Sequence, residues 1–177
     1  MKIYMIRHGK AEYTYGDKHN FIGHGHDLAK LDNDFISDVI KTSKDERLTK
    51  AQLIVSSPYT RALQTAAIIS KETDLDIEIE HDLREWEPDK TYTYKANEIK
   101  ELYKEYIAFN GIHPKEKNTK WESKEDLKKR ILSVIDKYKN YECVIFVYHQ
   151  MAMQTILKQK EIKPAEMIEY DTKKESF

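Results

Sequence analysis

His8 and His149 each stand at the end of a short apolar run, while Arg7 and Arg61 fall at or just beyond the ends of such runs. If those runs are neighbouring strands of one sheet, the four side chains meet in a compact cationic pocket. A phosphoryl group suits such a pocket, because its charge spreads over three equatorial oxygens and catalysis consists mostly of positioning and electrostatic stabilisation. Arginine offers planar, forked donors to those oxygens. A neutral imidazole nitrogen can attack phosphorus directly, forming a covalent phosphohistidine and splitting one hard transfer into two easier ones. The departing alkoxide needs a proton. Glu85, in a turn after the third apolar run, is the candidate donor.

The elements that must position these residues follow from periodicity. Lys2 to Ile6 is a β-rich run ending in Arg7-His8-Gly9, a buried strand that delivers polar residues to its C-terminal end, where ligand sites of open α/β sheets lie. Residues 10–27, with three of the five glycines, predict a loop. From Leu28 the spacing of Leu28, Leu31, Phe35, Ile36, Val39 and Ile40 predicts an amphipathic helix. Leu53 to Val55 forms a second buried strand, stopped by Ser56-Ser57-Pro58, with Ser57 as N-cap and Pro58 at the first position of a helix. Arg61 then lies in the first turn of that helix, and its Ala62, Ala66 and Ala67 allow close approach to the sheet. Ile77 to His81 alternates apolar and acidic residues, as an edge strand with one wet face does.

Tyr94 to Phe109 predicts a further helix, closed by Gly111. Ser123 with Asp126 resembles a capping box that opens a helix bearing Leu127, Ile131, Val134 and Ile135. Cys143 to Tyr148 is the most apolar strand and ends at His149-Gln150; a last helix should run to about Lys160, with an edge strand around Ile168 to Tyr170. Strands alternating with covering helices make a three-layer α/β/α sandwich, here one domain over residues 1–177.

The bulk numbers bound the function. A chain of 177 residues can bury one core without disulfide or metal staples. Lys plus Arg total 30 against 31 Asp plus Glu, so there is no global field for nucleic acid or an acidic membrane, and any preference for anions must be local. The lone Cys143 excludes an intramolecular disulfide and a cysteine zinc site; with no apolar stretch of about 20 residues, a cytoplasmic protein is expected. His24-x-His26 followed by Asp27 is half of a metal-site pattern that no further His or Cys spacing completes, so no metal is expected. Without a glycine-rich phosphate loop or a dinucleotide fingerprint, ATP and NAD find no support and no cofactor is called for.

In this order of motifs the chain resembles the histidine phosphatase superfamily, the group that includes the cofactor-dependent phosphoglycerate mutases. The resemblance rests on Arg7-His8-Gly9 after the first strand and on the run Ser56-Ser57-Pro58-Tyr59-Thr60-Arg61-Ala62-Leu63-Gln64-Thr65-Ala66. Leu83-Arg84-Glu85 is similar to the family's acid segment, Trp121-Glu122-Ser123 to its Gly-Glu-Ser turn, and Tyr148-His149 to its second histidine. Together these motifs span residues 3–160. The resemblance implies a phosphoglycerate mutase-like fold with a mostly parallel sheet, and makes His8 the phosphorylated nucleophile and Glu85 the general acid. It implies that Arg7, Arg61 and His149 hold the phosphoryl oxygens and that Asn20 is a loop residue near the phosphate. The sequence departs from the family where Gln150 replaces the usual glycine, in the segment His24 to Leu31, and at Trp86-Glu87-Pro88, where Glu87 becomes a rival acid.

The expected activity is therefore that of a metal-independent phosphatase, a phosphoric monoester hydrolase acting on a small phosphomonoester, with neither nucleic acid nor membrane as partner. A phosphoglycerate-type mutase is the alternative within enzymes; it must cover its phosphoenzyme against water. Residues 86–120 already supply one helix and leave little chain for a lid, which favours hydrolysis. A catalytically silent module that binds a phosphorylated ligand would have no need of a nucleophile and an acid together. The pocket walls should come from residues 10–27 and 86–120, where Tyr92, Tyr94 and Lys95 suit sugar phosphates, short-chain acid phosphates or a phosphopeptide. Substrate identity and oligomeric state are left open at this stage.

Overall fold

Strands β1 (Lys2–Arg7) and β4 (Cys143–Tyr148) form the centre of the computed structural model, which describes residues 1–174. Continuous apolar runs such as Val144 to Val147 cannot turn one face to water, and these residues are fully buried. The two strands pair in parallel, with Lys2 opposite Cys143 and Arg7 opposite Tyr148. The next residue on each strand is a histidine, so this register makes His8 and His149 leave the sheet side by side at the same end. Strand β2 (Ile54–Ser56) pairs in parallel with the other side of β4, Ser56 facing Val147, and carries Ser57 and helix α3 (Thr60–Thr73) to that end too.

Two edge strands complete the sheet in the order β3-β2-β4-β1-β5: β3 (Ile77–Ile79) lies parallel to β2, and β5 (Met167–Asp171) antiparallel to β1. The sheet is thus mostly parallel. Alternation along its strands divides the core. On one face Ile3, Met5, Val55 and Phe146 pack with Leu127, Ile131 and Val134 of helix α5 (Lys124–Lys137). On the other, Tyr4, Ile6, Ile145 and Val147 pack with Ala62, Ala66 and Ile69 of α3, whose small side chains let the helix approach closely. The result is the expected three-layer sandwich. Among the described residues no helix is long and apolar enough to cross a membrane.

Gly9 locks the histidine-bearing end of β1 in place. A Cβ there would lie 2.5 Å from Val39 Cγ2 of helix α2 (Ile36–Ser43), so the chain passes under α2 only as glycine. Its N–H donates to Thr65 Oγ1 of α3 at 3.0 Å.

Several helix boundaries differ from the sequence reading. The helix expected from Leu28 begins only at Ile36, because Asp32 accepts from the Asp34 N–H in a preceding 3-10 turn; Leu28 is exposed, and Leu31 bridges to Ala11. The segment read as a loop contains a short helix, α1 (Thr14–His19), which has no buried residue and hence no apolar period to reveal it. Helix α3 is capped at Tyr59 rather than Ser57, whose hydroxyl accepts from the Tyr59 N–H at 3.3 Å and pairs with His149. Helix α4 (Ala96–Ala108) starts two residues later than expected, and Gly111 follows it with φ of 72°. Helix α6 (Gln150–Gln154) is one short turn and does not reach Lys160. Ser123 does accept from the Asp126 N–H at the start of α5, at 3.0 Å, and the edge strand expected around Ile168 is β5.

Candidate active site

His8 and His149 are buried beside each other, ring centroids 4.9 Å apart, and Arg61, only 4% exposed, joins them. Its Nε donates to His8 Nε2 at 3.1 Å, its Nη2 to His149 Nδ1 at 3.3 Å, and its Nη1 to the His26 carbonyl at 3.0 Å. These donations fix both tautomers. His8 carries its proton on Nδ1, which donates to the Gly9 carbonyl at 2.6 Å, and keeps a lone pair on Nε2. His149 accepts at Nδ1 and donates from Nε2 to Ser57 Oγ at 2.8 Å. The Arg61 guanidinium also lies over the rings of Tyr59 and Tyr13, at 5.0 and 5.7 Å from their centroids.

Both imidazoles are held well below the ordinary histidine pKa, first by burial and next by the Arg61 charge. They therefore stay neutral as the pH falls through 6.5, whereas in the unfolded chain they take up protons there. The native state thus binds fewer protons, so its stability is full above that pH and declines as the pH drops below it. Two profiles check this. The acid limb of kcat/KM should lie below pH 6.5, and Tm should fall between pH 7.5 and 5.5, less steeply in His149→Gln. A Tm equally pH-dependent in that variant would contradict the neutral pair.

Glu85 reaches the same end of the sheet from the other side. Its Oε1 accepts from the N–H groups of Trp86 and Ala152, at 2.9 and 3.1 Å, and its Oε2 from Met151 at 3.2 Å, in the first turn of α6. Glu87, the rival acid, is occupied. Burial would raise its pKa, but the Tyr92 hydroxyl at 2.6 Å and the Arg84 guanidinium at 2.8 Å together hold it below the usual carboxylate range. Arg7 uses Nη1 on Gln150 Oε1 and on the Ile162 carbonyl, at 2.6 and 2.5 Å, while its Nε is buried with no partner among the described residues. The structure thus brings together His8, Arg61 and His149, with Arg7 one residue before His8. Asn20 is exposed at the C-terminal end of α1 in a left-handed conformation, away from the walls of the adjoining cavity.

Three supporting residues escaped the sequence reading. Ser57 looked like a helix cap, since a serine before proline at a helix start serves that purpose elsewhere, yet it orients His149. Gln150 appeared only as a missing glycine, and its side chain supplies an acceptor for Arg7. Arg130 sits among lysines on α5 and gives no sequence signal. It pairs with Glu122 at 2.7 Å and donates to the carbonyls of Asp82, Arg84 and Glu85, tying the acid segment to α5. His26 of the His-x-His pattern pairs with Asp17 at 2.8 Å, and the His24 side chain lies outside the described residues. Among the described residues no group of three or more His, Cys, Asp and Glu stands ready to hold a metal ion.

A cavity of about 190 Å³ opens onto Arg61 and Glu85, walled by segments 13–27 and 86–103. The two segments are clasped together: the Gly23 N–H donates to the Tyr94 carbonyl at 2.7 Å, and Ile22 bridges to Lys95.

An α/β sandwich with neutral, arginine-linked histidines at the C-terminal end of its parallel strands is built to handle a phosphoryl group. The chain belongs to the histidine phosphatase superfamily (branch 1), whose family model matches residues 3–173, and it is a phosphatase, a phosphoric monoester hydrolase. No curated protein sequence matches it. Solved structures similar to it include a mycobacterial glucosyl-3-phosphoglycerate phosphatase (TM-score 0.70, 18% identity, 95% of this chain and 88% of that one). YhfR of Bacillus stearothermophilus is similar as well (TM-score 0.71, 19% identity, 95% and 89%), as is TTHB049 of Thermus thermophilus (TM-score 0.69, 17% identity, 97% and 94%). At these identities the likeness is one of fold.

Proposed function

We propose that the protein, as one catalytic domain, hydrolyses small phosphomonoesters without a metal ion through a phosphohistidine on His8. The observation that carries this reading is the bonding of His8: Nδ1–H is spent on the Gly9 carbonyl, so Nε2 holds the lone pair, and it faces the Arg61 guanidinium. On binding, phosphoryl oxygens replace Nε2 as acceptors of Arg61, and the freed nitrogen attacks phosphorus in line with the leaving oxygen. An N–P bond forms as the P–O bond to the leaving group breaks. Arg61 and Arg7 offset the charge on the phosphoryl oxygens, the task a metal ion would otherwise perform, and His149 joins them as a neutral donor once its Nε2–H turns from Ser57 to a phosphoryl oxygen. The orphan Nε of Arg7 is a buried donor that one of those oxygens would satisfy.

Glu85 gives its proton to the leaving oxygen and then takes one from the water that opens the phosphohistidine. The bonds of Glu87 to Arg84 and Tyr92 favour Glu85 over it as the acid, and the exposed place of Asn20 at the end of α1 gives it at most a peripheral role. The mycobacterial relative has been solved with inorganic phosphate and with VO3, which supports a phosphoryl-binding pocket in this fold. Cys143 is a buried free thiol, which suits a cytoplasmic setting.

The test is steady-state hydrolysis of an alkyl phosphate with and without a chelator, in wild type, Glu85→Gln and Glu87→Gln. Chelation should leave the rate unchanged. Glu85→Gln should lower kcat by about 10² to 10³, while Glu87→Gln stays within a few-fold of wild type. Rapid acid or base quench should reveal an adduct that is acid-labile and base-stable. Metal dependence, or a larger loss in Glu87→Gln than in Glu85→Gln, would overturn the reading.

A further inference from the structure

The rings of Tyr13, Tyr59, Trp86, Tyr94 and Tyr103 form much of the wall of the cavity beside Arg61 and Glu85, together with Ile99 and a few further apolar and polar side chains. Trp86 spends its indole N–H on the Glu122 carbonyl at 2.8 Å, leaving the cavity only its apolar ring surface. Trp86 meets Tyr103 edge to face at 6.0 Å, and a further ring can extend this arrangement by packing against either of them. Burial keeps the phenols of Tyr13, Tyr59 and Tyr94 protonated, so these rings bring no charge. The volume of about 190 Å³ exceeds the roughly 150 Å³ that suffices for benzene in an apolar protein cavity.

Charge narrows the choice further. Among the described residues Arg61 is the single lysine or arginine on the wall, and it is committed to the phosphoryl group; the acids there are Asp27 and Glu85. A substrate with a second anionic group, such as a carboxylate or a second phosphate, would bring that charge toward Asp27 with no second lysine or arginine on the wall to receive it.

From the cavity's ring lining, its size and its lack of a spare cation, we infer that the phosphatase acts on phosphomonoesters whose leaving group carries an uncharged aromatic ring. This rests on the phosphatase reading above. The ring lies between Trp86 and the tyrosines, and its oxygen falls beside Glu85.

Three alkyl phosphates of matched leaving-group chemistry test the inference: benzyl phosphate, glucose 6-phosphate and 3-phosphoglycerate. Benzyl phosphate should be favoured in kcat/KM by about 100-fold over 3-phosphoglycerate. Tyr103→Ala, at a half-exposed position, should raise KM for benzyl phosphate about tenfold with little change in kcat. Ile99→Lys should move the ratio toward 3-phosphoglycerate. A kcat/KM for glucose 6-phosphate or 3-phosphoglycerate equal to or above that for benzyl phosphate would overturn the inference and leave the phosphatase reading intact. If none of the three released phosphate and no phosphoenzyme formed, both would fall together.

Discussion

Replacing His8 with alanine is expected to lower phosphate release by at least about 10⁴-fold, because the variant removes the atom that bonds to phosphorus and no neighbour can substitute for it. His149 is the nearest imidazole, but its Nδ1 accepts from Arg61 and its Nε2–H is directed to Ser57. Folding should survive, since Gly9 and Thr65, not the imidazole, anchor this end of β1 to the helices. The measurement pairs steady-state turnover with acid and base quench of the phosphoenzyme, and a thermal melt to verify folding. Turnover above about a tenth of wild type, or a surviving adduct, would assign the nucleophile to another residue.

Arg61 carries the second large effect. It is the shared partner of both histidines and, among the described residues, the only forked donor bonded directly to the reacting nitrogen. Arg61→Ala should cost about 10³-fold in kcat, in the range found when charge-stabilising donors are removed from phosphoryl-transfer sites. Arg61→Lys keeps the charge but presents a point rather than a planar fork, so it should recover only a small part of the loss. A second readout separates this role from a structural one. Burial is the first cause of the lowered histidine pKa values and the Arg61 charge the next, so the acid limb should move up toward 6.5 in Arg61→Ala. An unmoved limb together with full activity in Arg61→Lys would mean that Arg61 merely fills space.

Much of the site was legible because parallel strands advertise their ends. An apolar run stopping abruptly at Arg7-His8 and another at His149 reveal which residues are delivered, and the register of β1 on β4 needs only the parallel pairing to put them side by side. Arg61 was legible from its distance to the end of β2. What escaped is what depends on partners distant in sequence. Ser57 carries the same local signature whether it caps α3 or bonds His149, and Arg130 reads as one more cation on the outer face of α5 until the acid segment is folded against it. The helix expected from Leu28 failed for a related reason: its spacing fits a helical face, but the Asp32 turn intervenes and no core lies opposite Leu28. The short α1 buries nothing, so hydrophobic spacing could not announce it.

The clasp between Gly23 and Tyr94 ties substrate choice to a pair of segments about 70 positions apart in the chain. Gly23 and Tyr92 both adopt positive φ, 57° and 55°, and a side chain at Gly23 would meet the Tyr92 carbonyl at 2.5 Å. The halves of the binding wall are therefore fitted to each other as well as to a ligand. Transplanting either segment from a relative would break the bridge and leave a misshapen mouth, whereas the two exchanged together form a portable unit. Diversification of this pocket, by evolution or in the laboratory, should proceed by coordinated replacement of both.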